Sequence, residues 1–296
     1  MSQQDLPMLK PREPTAHKGT FGHALLIGGA TGMTGAIAIA GMACLRTGAG
    51  LVTLAVPQNS QAIVASLDPN YMTLPLPCDA SGRLISVAKS VLSGLLERAS
   101  CVAIGPGLGK SEASDEIVSD LFENFKGPMI LDADGLNALS ESETWKQMCR
   151  RETRPNDAPR ILTPHPGEWE RLSGVSAKDR VGQMESASKI AARIQCIVLL
   201  KGNQTLITSG QESFVNSTGN ASMAVGGSGD CLTGMIAALV CQGMTCMDAA
   251  RLGAYLHGLA GDLAHEELGT PSTLAIDLIR FLPAAFRALA KENLLC

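Results

Sequence analysis

A glycine-rich stretch directly before an apolar helix is the segment of this sequence best suited to chemistry on a phosphate. Gly226, Gly227 and Gly229 precede "DCLTGMIAALV", so successive backbone N–H groups and a helix N-terminus would meet and hold negative charge. Asp230, in the first turn of that helix, would be placed to take the proton of an attacking hydroxyl. Positioning, charge stabilisation and such a base are what phosphoryl transfer requires. The alternative is that Asp230 only caps the helix.

Two further polar residues follow apolar strand patterns. His165 lies in "LTPHPGEWERL", where the flanking prolines stiffen the turn and fix the direction of the imidazole. Lys201 lies in "LLKGNQTLI", where its ammonium could act as a point charge on a phosphate. A lone histidine is usually structural, and a strand-end lysine often extends to solvent. The spacing therefore leaves ligand contact and a structural role open for both residues.

Two carboxylates end the strand pattern of "LDADGLNAL" (131–139). Asp134 could cap the helix that follows. Alternatively, Asp132 and Asp134 could coordinate a phosphate-bound magnesium ion, directly or through water, because carboxylate oxygens suit this cation. From the residues alone, capping by Asp134 is favoured.

Three glycine motifs resemble known fingerprints without matching them. "GGATGMTGA" (28–36) does not fit the G-x-G-x-x-G spacing, and the second strand ends in Pro57-Gln58 where a ribose-binding acid would lie, which disfavours a Rossmann dehydrogenase. "GPGLGKS" (105–111) lacks one residue between the glycines of a P-loop. "GGSGD" has an acid at the last glycine of the hydrolase elbow. The first two motifs are interpreted as turns that bring backbone amides to a ligand.

Short apolar runs that alternate with helical patterns would position these motifs. Buried strands are predicted within residues 23–29, 51–57, 101–105, 128–134, 160–165 and 196–202. This alternation indicates βαβ units and a parallel sheet whose carboxyl edge carries the site. After Thr205, a strand pair around Gly210 precedes three helical stretches. With no linker or repeat, we expect a single domain, and we interpret the charged region 143–160 as a solvated loop.

Composition excludes several classes of protein. The 296 residues carry a net charge of -4, with 45% apolar, 18% charged and 3% aromatic residues, which is typical of a soluble α/β protein and not of a nucleic-acid binder. The longest apolar run (33–45) is too short for a membrane span and the start is polar, so we expect a cytoplasmic protein with no membrane partner. The nine cysteines include no CxxC pair and read as reduced core residues.

Seven ordered motifs make the chain similar to the ribokinase-like superfamily and, within it, to the ADP/ATP-dependent NAD(P)H-hydrate dehydratases. The motifs are "KGTFGHALLIGG" with "LRTGAGLVT", "IGPGLG", "LDADGLNAL", "LTPHPGEWERL", "LLKGNQTLI", "NSTGNASMAVGGSGDCLTG" and "GAYLHGLAGDLA", within about residues 15–285. The resemblance implies an α/β fold, a three-layer αβα sandwich around a mostly parallel sheet. It also implies repair of the S-form of hydrated NADH or NADPH: ADP or ATP phosphorylates the ring hydroxyl, and elimination of phosphate restores the reduced dinucleotide.

The resemblance further implies roles for individual residues. Asp230 would be the catalytic base, and the hydrated dinucleotide would contact Asp230, Ala36, His165 and a glycine of "GPGLG", Gly107 or Gly109. ADP or ATP would be held by Lys201, Gly202, Asn203, Gln204, Thr205, Asn220, Gly226, Gly227, Ser228 and Gly229. Magnesium (Mg2+) would be coordinated by the phosphates near Asp132 and Asp134, with no direct protein ligand. Met33 stands where relatives often have an aromatic residue, and Asn203-Gln204 where they often have small ones.

The expected partners and the alternatives follow from the same resemblance. The epimerase domain fused to some relatives is not expected here, so an NAD(P)H-hydrate epimerase would be a separate chain, and a homo-oligomer, often a tetramer, is expected. A sugar, vitamin or thiazole-alcohol kinase is the nearest alternative, and it would release a phosphorylated product. A catalytically silent nucleotide-binding protein is disfavoured by the intact Asp230. The residues do not distinguish ADP from ATP, although relatives of this bacterial style tend to use ADP.

Overall fold

A single sheet runs through the computed structural model, which describes residues 6–151 and 158–293. Its described strands are β1 (His23–Ile27), β2 (Leu51–Pro57), β3 (Met72–Leu76), β4 (Cys101–Ile104), β5 (Met129–Leu131), β6 (Arg160–Leu162), β7 (Ile197–Leu200), β8 (Leu206–Thr208) and β9 (Ser213–Val215). Their spatial order is β3-β2-β1-β4-β5-β6-β7-β8-β9. Pairs from β3 through β7 are parallel, and β8 and β9 add antiparallel strands at one edge. The predicted mostly parallel sheet is confirmed.

Helices cover both faces of the sheet. In chain order they are α1 (Thr34–Thr47), α2 (Gln58–Leu67), α3 (Ala88–Leu96), α4 (Glu112–Asn124), α5 (Ala133–Glu141), α6 (Glu143–Arg151), α7 (Pro166–Ser173), α8 (Arg180–Ile194), α9 (Ser228–Cys241), α10 (Cys246–Leu268) and α11 (Ala275–Asn293).

Alternate strand residues belong to two separate cores, which makes the fold a three-layer αβα sandwich. Leu26 and Leu54 pack with α1, α9, α10 and α11, whereas Leu25 and Ile27 pack with helices of the α3 to α8 group. This division follows from the period of two along a strand. Every residue of α9 from Cys231 to Cys241 is buried, which explains why this segment is apolar all round. The expected fold class is confirmed.

Two local expectations were wrong or incomplete. The region 143–160 was expected to be a solvated loop, but it begins with α6, and the Trp145 ring is buried with its Nε1 donating to the Leu172 carbonyl at 2.9 Å. Met148, three residues further on, is buried too, so α6 packs one of its faces on the core. Residues 152–157 lie outside the described part. Strand β3 was missed because Pro75 lies within it, and such a strand is tolerated at the sheet edge that it occupies.

Two other features follow the composition. No helix within residues 6–151 and 158–293 combines the length and the hydropathy that a membrane crossing needs. The eight cysteines within the described ranges are unpaired thiols, and six of them are buried: Cys44, Cys101, Cys196, Cys231, Cys241 and Cys246. Burial keeps most of these thiols protonated by raising their pKa values, so they behave as apolar core residues.

Candidate functional site

The polar residues predicted from strand ends meet at the carboxyl edge of three neighbouring parallel strands. Asp132 follows β5, His165 follows β6 and Lys201 follows β7. The N-terminus of α9 reaches the same place: a Cβ built on Gly229 would lie 3.0 Å from Lys201 Nζ. Gly227 caps α9 with a φ of 91°, a left-handed conformation that favours glycine. The glycine loop therefore lies against the strand-end side chains, as expected for this sheet topology.

Asp132 and Lys201 form a buried ion pair. Lys201 Nζ donates to Asp132 Oδ1 at 2.7 Å, and the Thr233 hydroxyl donates to Asp132 Oδ2 at 2.8 Å. Burial alone would raise the pKa of Asp132, but the Lys201 ammonium and these hydrogen bonds hold it below its ordinary value. Burial would lower the pKa of Lys201, yet the charges of Asp132 and Glu168 raise it. Both side chains are therefore charged at neutral pH.

Asp230 is the unpaired carboxylate of this group. It lies half-buried in the first turn of α9, and its side chain forms no hydrogen bond or ion pair with any residue in the described ranges. Burial, reinforced by the negative charge of Asp132, raises the pKa of Asp230 to about 6, against the opposing effect of Lys201. A carboxylate with this pKa is mostly ionised at neutral pH and still basic enough to take a proton. The geometry suits the predicted role of Asp230.

His165 is the N-cap of α7, which the sequence alone did not show. Its Nδ1 accepts from the Gly167 N–H at 3.0 Å, and Glu168 closes a capping box by accepting from the His165 N–H at 2.8 Å. Half of the His165 side chain stays exposed, and Glu168 Oε1 lies 3.2 Å from its Nε2. Burial, and then the Lys201 charge, lower the pKa of His165, while burial raises that of Glu168 to about 7. The ring is therefore neutral and fixed in direction.

A cavity of about 750 Å³ opens beside the glycine loop. Most of the residues expected to hold a nucleotide line it: Lys201, Gly202, Asn203, Gln204, Thr205, Asn220, Ser228 and Gly229. His165 lines it as well. Gly226 and Gly227, which were expected to hold the nucleotide too, lie in the loop just outside this lining. The structure thus brings most of the nucleotide-binding candidates together around one space.

Three of the residues expected to face the dinucleotide, Ala36, Gly107 and Gly109, lie where the "GPGLG" turn packs against the turn after β1 and the start of α1. Gly107 has a φ of 58°, and a Cβ built there would lie 2.7 Å from the Met33 carbonyl and 3.2 Å from Ala36 Cβ. The Gly109 N–H donates to Asp134 Oδ2 at 2.9 Å. Asp134 therefore fixes the "GPGLG" turn and does not cap α5, whose N-cap is Asp132. The favoured reading of Asp134 as a cap was wrong.

Helix α10 shapes the cavity in a way that the sequence analysis missed. His257 and Gly258 line it, and the Thr218 hydroxyl donates to the Tyr255 carbonyl at 2.8 Å. Asp262 accepts from the Gly219 N–H at 2.9 Å and from the Asn220 amide at 2.8 Å. The motif "GAYLHGLAGDLA" contains these helix residues, but their contacts with a loop about 40 positions earlier cannot be read from spacing. One face of α10 therefore holds residues 218–220 in place, a segment called the nucleotide loop below because Asn220 is a predicted nucleotide contact.

Arg180 supports the turn after β7, which lines the cavity. Its guanidinium donates to the carbonyls of Leu200, Lys201 and Gln204 at 3.0 to 3.3 Å. Gln204 has a φ of 57°, so the turn after β7 is tight and depends on this support. Arg180 thereby fixes the backbone that presents Lys201 to Thr205.

Asp132 and Asp134 do not fit direct coordination of magnesium. Both oxygens of Asp132 already accept hydrogen bonds, one from Lys201 and one from Thr233. One oxygen of Asp134 accepts the Gly109 N–H. Over the described residues, no cluster of three or more His, Cys, Asp or Glu side chains is arranged to hold a metal ion. A cation held by the ligand's own phosphates therefore fits this site better than one held by several protein carboxylates.

The sandwich, its sheet order and the glycine loop with Asp230 at a helix N-terminus place the fold in the ribokinase-like class of α/β proteins, to which a solved structure from Enterococcus faecalis with a TM-score of 0.79 and 26% identity also belongs. Within that class, the chain belongs to the NAD(P)H-hydrate dehydratase family, whose model matches residues 24–284. The family resemblance drawn from the seven motifs is therefore confirmed.

Named relatives differ in how much of their length the chain matches. A bifunctional NAD(P)H-hydrate repair enzyme of Moorella thermoacetica is 44% identical over 290 residues, which cover 96% of this chain and 53% of that protein. The chain thus spans about half the length of the bifunctional relatives that it matches. An ADP-dependent (S)-NAD(P)H-hydrate dehydratase of Bacillus subtilis is 32% identical over 281 residues, 94% of each chain.

A solved structure extends the comparison to three dimensions. The crystal structure of an ADP/ATP-dependent NAD(P)H-hydrate dehydratase from Bacillus subtilis, co-crystallised with ATP and Mg2+, is similar with a TM-score of 0.79 and 32% identity. The match covers 97% of this chain and 95% of that chain. The similarity therefore extends over nearly all of both folds.

Proposed function

We propose that this protein dehydrates the S-form of hydrated NADH or NADPH to NADH or NADPH, with ADP or ATP as the phosphoryl donor. The single observation that carries the proposal is the state of Asp230, a half-buried and unpaired carboxylate at the glycine-loop end of α9. Its neighbour Asp132 is neutralised by Lys201, so one base is left available. The matching names of the two Bacillus subtilis proteins support the substrate and the donor.

The reaction needs two steps, and this chain has a group for the first. The Asp230 carboxylate takes the proton of the ring hydroxyl, and the hydroxyl oxygen attacks the terminal phosphorus of the nucleotide while the bond from phosphorus to the leaving phosphate breaks. In the second step, the carbon–oxygen bond to the new phosphate breaks and the adjacent ring carbon loses a proton. The products are the reduced dinucleotide, inorganic phosphate and the shortened nucleotide.

The nucleotide and the hydrated dinucleotide would bind to different parts of the site. The cavity beside Lys201 to Thr205 and Asn220 would hold the nucleotide, and the backbone N–H groups of Ser228 and Gly229 at the α9 N-terminus would receive its phosphates. Ala36, Gly107, Gly109 and the His165 ring would contact the dinucleotide. Asp230 lies one residue from Gly229, which lines the nucleotide cavity, and so would act where the two ligands meet.

Magnesium enters this proposal only with the nucleotide. The co-crystallised ATP and Mg2+ of the Bacillus subtilis structure support a cation bound to phosphates. When bound, such a cation would offset negative charge on the phosphates. The backbone N–H groups at the α9 N-terminus and the Lys201 ammonium would hold the phosphates together with this cation.

Three expectations stay predictions: the functional partner, the oligomeric state and the cellular location. We propose that it acts together with an NAD(P)H-hydrate epimerase, which would convert the other epimer of the hydrate into the S-form. A homotetramer and a cytoplasmic location remain predictions of the sequence. The exposed apolar residues Ile63, Leu67 and Met72 next to the β3 edge are consistent with contact between copies.

Turnover of hydrated NADH tests the proposal directly. The purified protein is incubated with S-form hydrated NADH, Mg2+ and either ADP or ATP, and the return of reduced-nicotinamide absorbance is followed together with inorganic phosphate. Equal amounts of both products are expected. A stable phosphorylated product without phosphate release would indicate a small-molecule kinase, and no turnover with either nucleotide would refute the dehydratase proposal.

A further inference from the structure

His257 is a buried histidine of α10 with no role in the proposed reaction. It is 9% exposed and lines the nucleotide cavity. Its Nε2 lies 2.9 Å from the Ser228 carbonyl oxygen and 3.4 Å from the Ser228 hydroxyl, in the first residue of α9. Because a carbonyl oxygen can only accept, Nε2 carries the ring proton. The tautomer of His257 is therefore fixed by the glycine loop.

The other ring nitrogen is consequently an acceptor. Burial lowers the pKa of His257 to about 4, with the Lys201 charge acting in the same direction against the hydrogen bond to Ser228. The ring is neutral at physiological pH, so Nδ1 keeps its lone pair. No residue within 6–151 or 158–293 donates a hydrogen bond to Nδ1. Because His257 lines the cavity, Nδ1 is available there to accept a hydrogen bond from a ligand or a water.

The surroundings of His257 indicate which part of a nucleotide would reach it. Ala254 and Gly258 flank it on the cavity face of α10, and Leu232 lies one turn into α9. These small or apolar side chains offer nothing to a phosphate. His257 therefore borders both the phosphate end of the cavity, through Ser228, and the apolar part lined by Ala254, Gly258 and Leu232, where the nucleoside would lie.

We propose that His257 Nδ1 accepts a hydrogen bond from an O–H or N–H donor of the bound nucleoside and thereby selects the nucleotide co-substrate. The donor is a ribose hydroxyl or the exocyclic amine of the base. The inference rests on the proposed function, because it requires a nucleotide in this cavity. A nucleotide that lacks the donor leaves this acceptor without its partner and should bind more weakly by the free energy of about one hydrogen bond.

Two substitutions of His257 test the contributions of the two ring nitrogens separately. In His257→Gln, the side-chain amide nitrogen can occupy the place of Nε2 and donate to Ser228, but no acceptor remains at the place of Nδ1. In His257→Asn, the shorter amide places an oxygen near Nδ1 and loses the donor to Ser228. Calorimetry at neutral pH measures the Kd of ADP, 2′-deoxy-ADP, 3′-deoxy-ADP and inosine diphosphate for the wild type and both variants.

We expect the wild-type protein to bind one kind of analogue more weakly than ADP. The wild-type protein binds the analogue without the donor about 3- to 10-fold more weakly than ADP. His257→Gln removes this difference, and His257→Asn retains it. A deoxy analogue as the weak ligand assigns the donor to the ribose, and inosine diphosphate assigns it to the base.

Other outcomes overturn the inference. If the wild type binds all four nucleotides equally, or if His257→Gln weakens all four by one factor, His257 acts only by holding Ser228. These results leave the proposed function standing, since ADP still binds. If the wild type binds no adenine nucleotide, the proposed function and this inference both fail.

Discussion

Lys201 Nζ lies 2.7 Å from Asp132 Oδ1, so residues 69 positions apart form an ion pair directly beside Gly229 of the glycine loop. The pair has two consequences for the site. It holds a positive charge where the phosphates of a nucleotide would arrive, and it removes Asp132 as a competing base. Asp230, which has no such partner in the described part of the chain, is left to take a proton.

Replacing Lys201 by methionine is expected to destabilise the protein. Asp132 is only 1% exposed, and an unpaired buried charge costs about 3 to 5 kcal/mol of the free energy of unfolding. Urea denaturation of Lys201→Met measures this loss. The double variant Asp132→Asn with Lys201→Met should regain most of the stability without regaining nucleotide binding. If Lys201→Met unfolds at the wild-type urea concentration, the pair contributes little and its structural role is refuted.

Replacing Asp230 by asparagine is expected to stop turnover and to keep nucleotide binding. The amide cannot take the hydroxyl proton, so kcat should fall by about 10²- to 10⁴-fold. The Kd of ADP, measured by calorimetry, should remain close to the wild-type value because the loop and cavity are unchanged. Asp120→Asn, which removes the partner of Lys89 on the surface of α4, is the matched control and should be fully active. Substantial activity in Asp230→Asn would show that another group is the base.

The rate is expected to depend on the ionisation of Asp230. Burial raises the pKa of this carboxyl to about 6, and the base must be unprotonated. The value of kcat/KM for the hydrated dinucleotide, which reports ionisations of the free enzyme, should therefore be constant at neutral pH and fall as the pH drops through about 6, by about tenfold per unit below it. ADP affinity measured over the same range separates loss of the base from loss of binding. A rate that stays flat well below pH 6 would contradict the assignment.

The strand ends and the glycine loop could be predicted from the sequence because their signals are local. An apolar run closed by Asp, His or Lys marks the edge of a parallel sheet wherever its neighbours lie in the chain. Asp134 was misread because its partner, the Gly109 N–H, lies 25 residues earlier, so capping was the nearest local explanation. The part played by His257 depends likewise on Ser228, 29 residues away in another helix.

Strand β3 and helix α6 were not predicted from the sequence, because their apolar periodicity is weak. Pro75 lowered the strand signal of β3, although an edge position tolerates a missing backbone donor. In α6, Trp145 and Met148 are buried and Cys149 is partly buried against the same core, and so few apolar positions do not separate a short helix from a loop. Both elements depend on tertiary packing that the segment itself does not encode.

Two glycines of α10 provide a test of how that helix holds the nucleotide loop. A Cβ on Gly258 would lie 2.5 and 2.6 Å from backbone atoms of Thr218, which cannot move without shifting the loop. A Cβ on Gly261 would meet only the Met223 side chain, with the sulfur at 2.2 Å, and a flexible thioether can turn away. Gly258→Ala should therefore raise the KM for the nucleotide by about 10- to 100-fold, because displacements near 1 Å have effects of this size.

Gly261→Ala is the matched control for that substitution. Both changes add one methyl group to the same helix and improve its helix propensity similarly, so the two variants differ only in what the added methyl group meets. The KM for the nucleotide should change much less in Gly261→Ala than in Gly258→Ala. The KM for the hydrated dinucleotide should change little in either variant, because its proposed contacts Ala36 and Gly107 lie in other segments. Equal nucleotide KM values in the two variants would mean that α10 does not set the position of the loop.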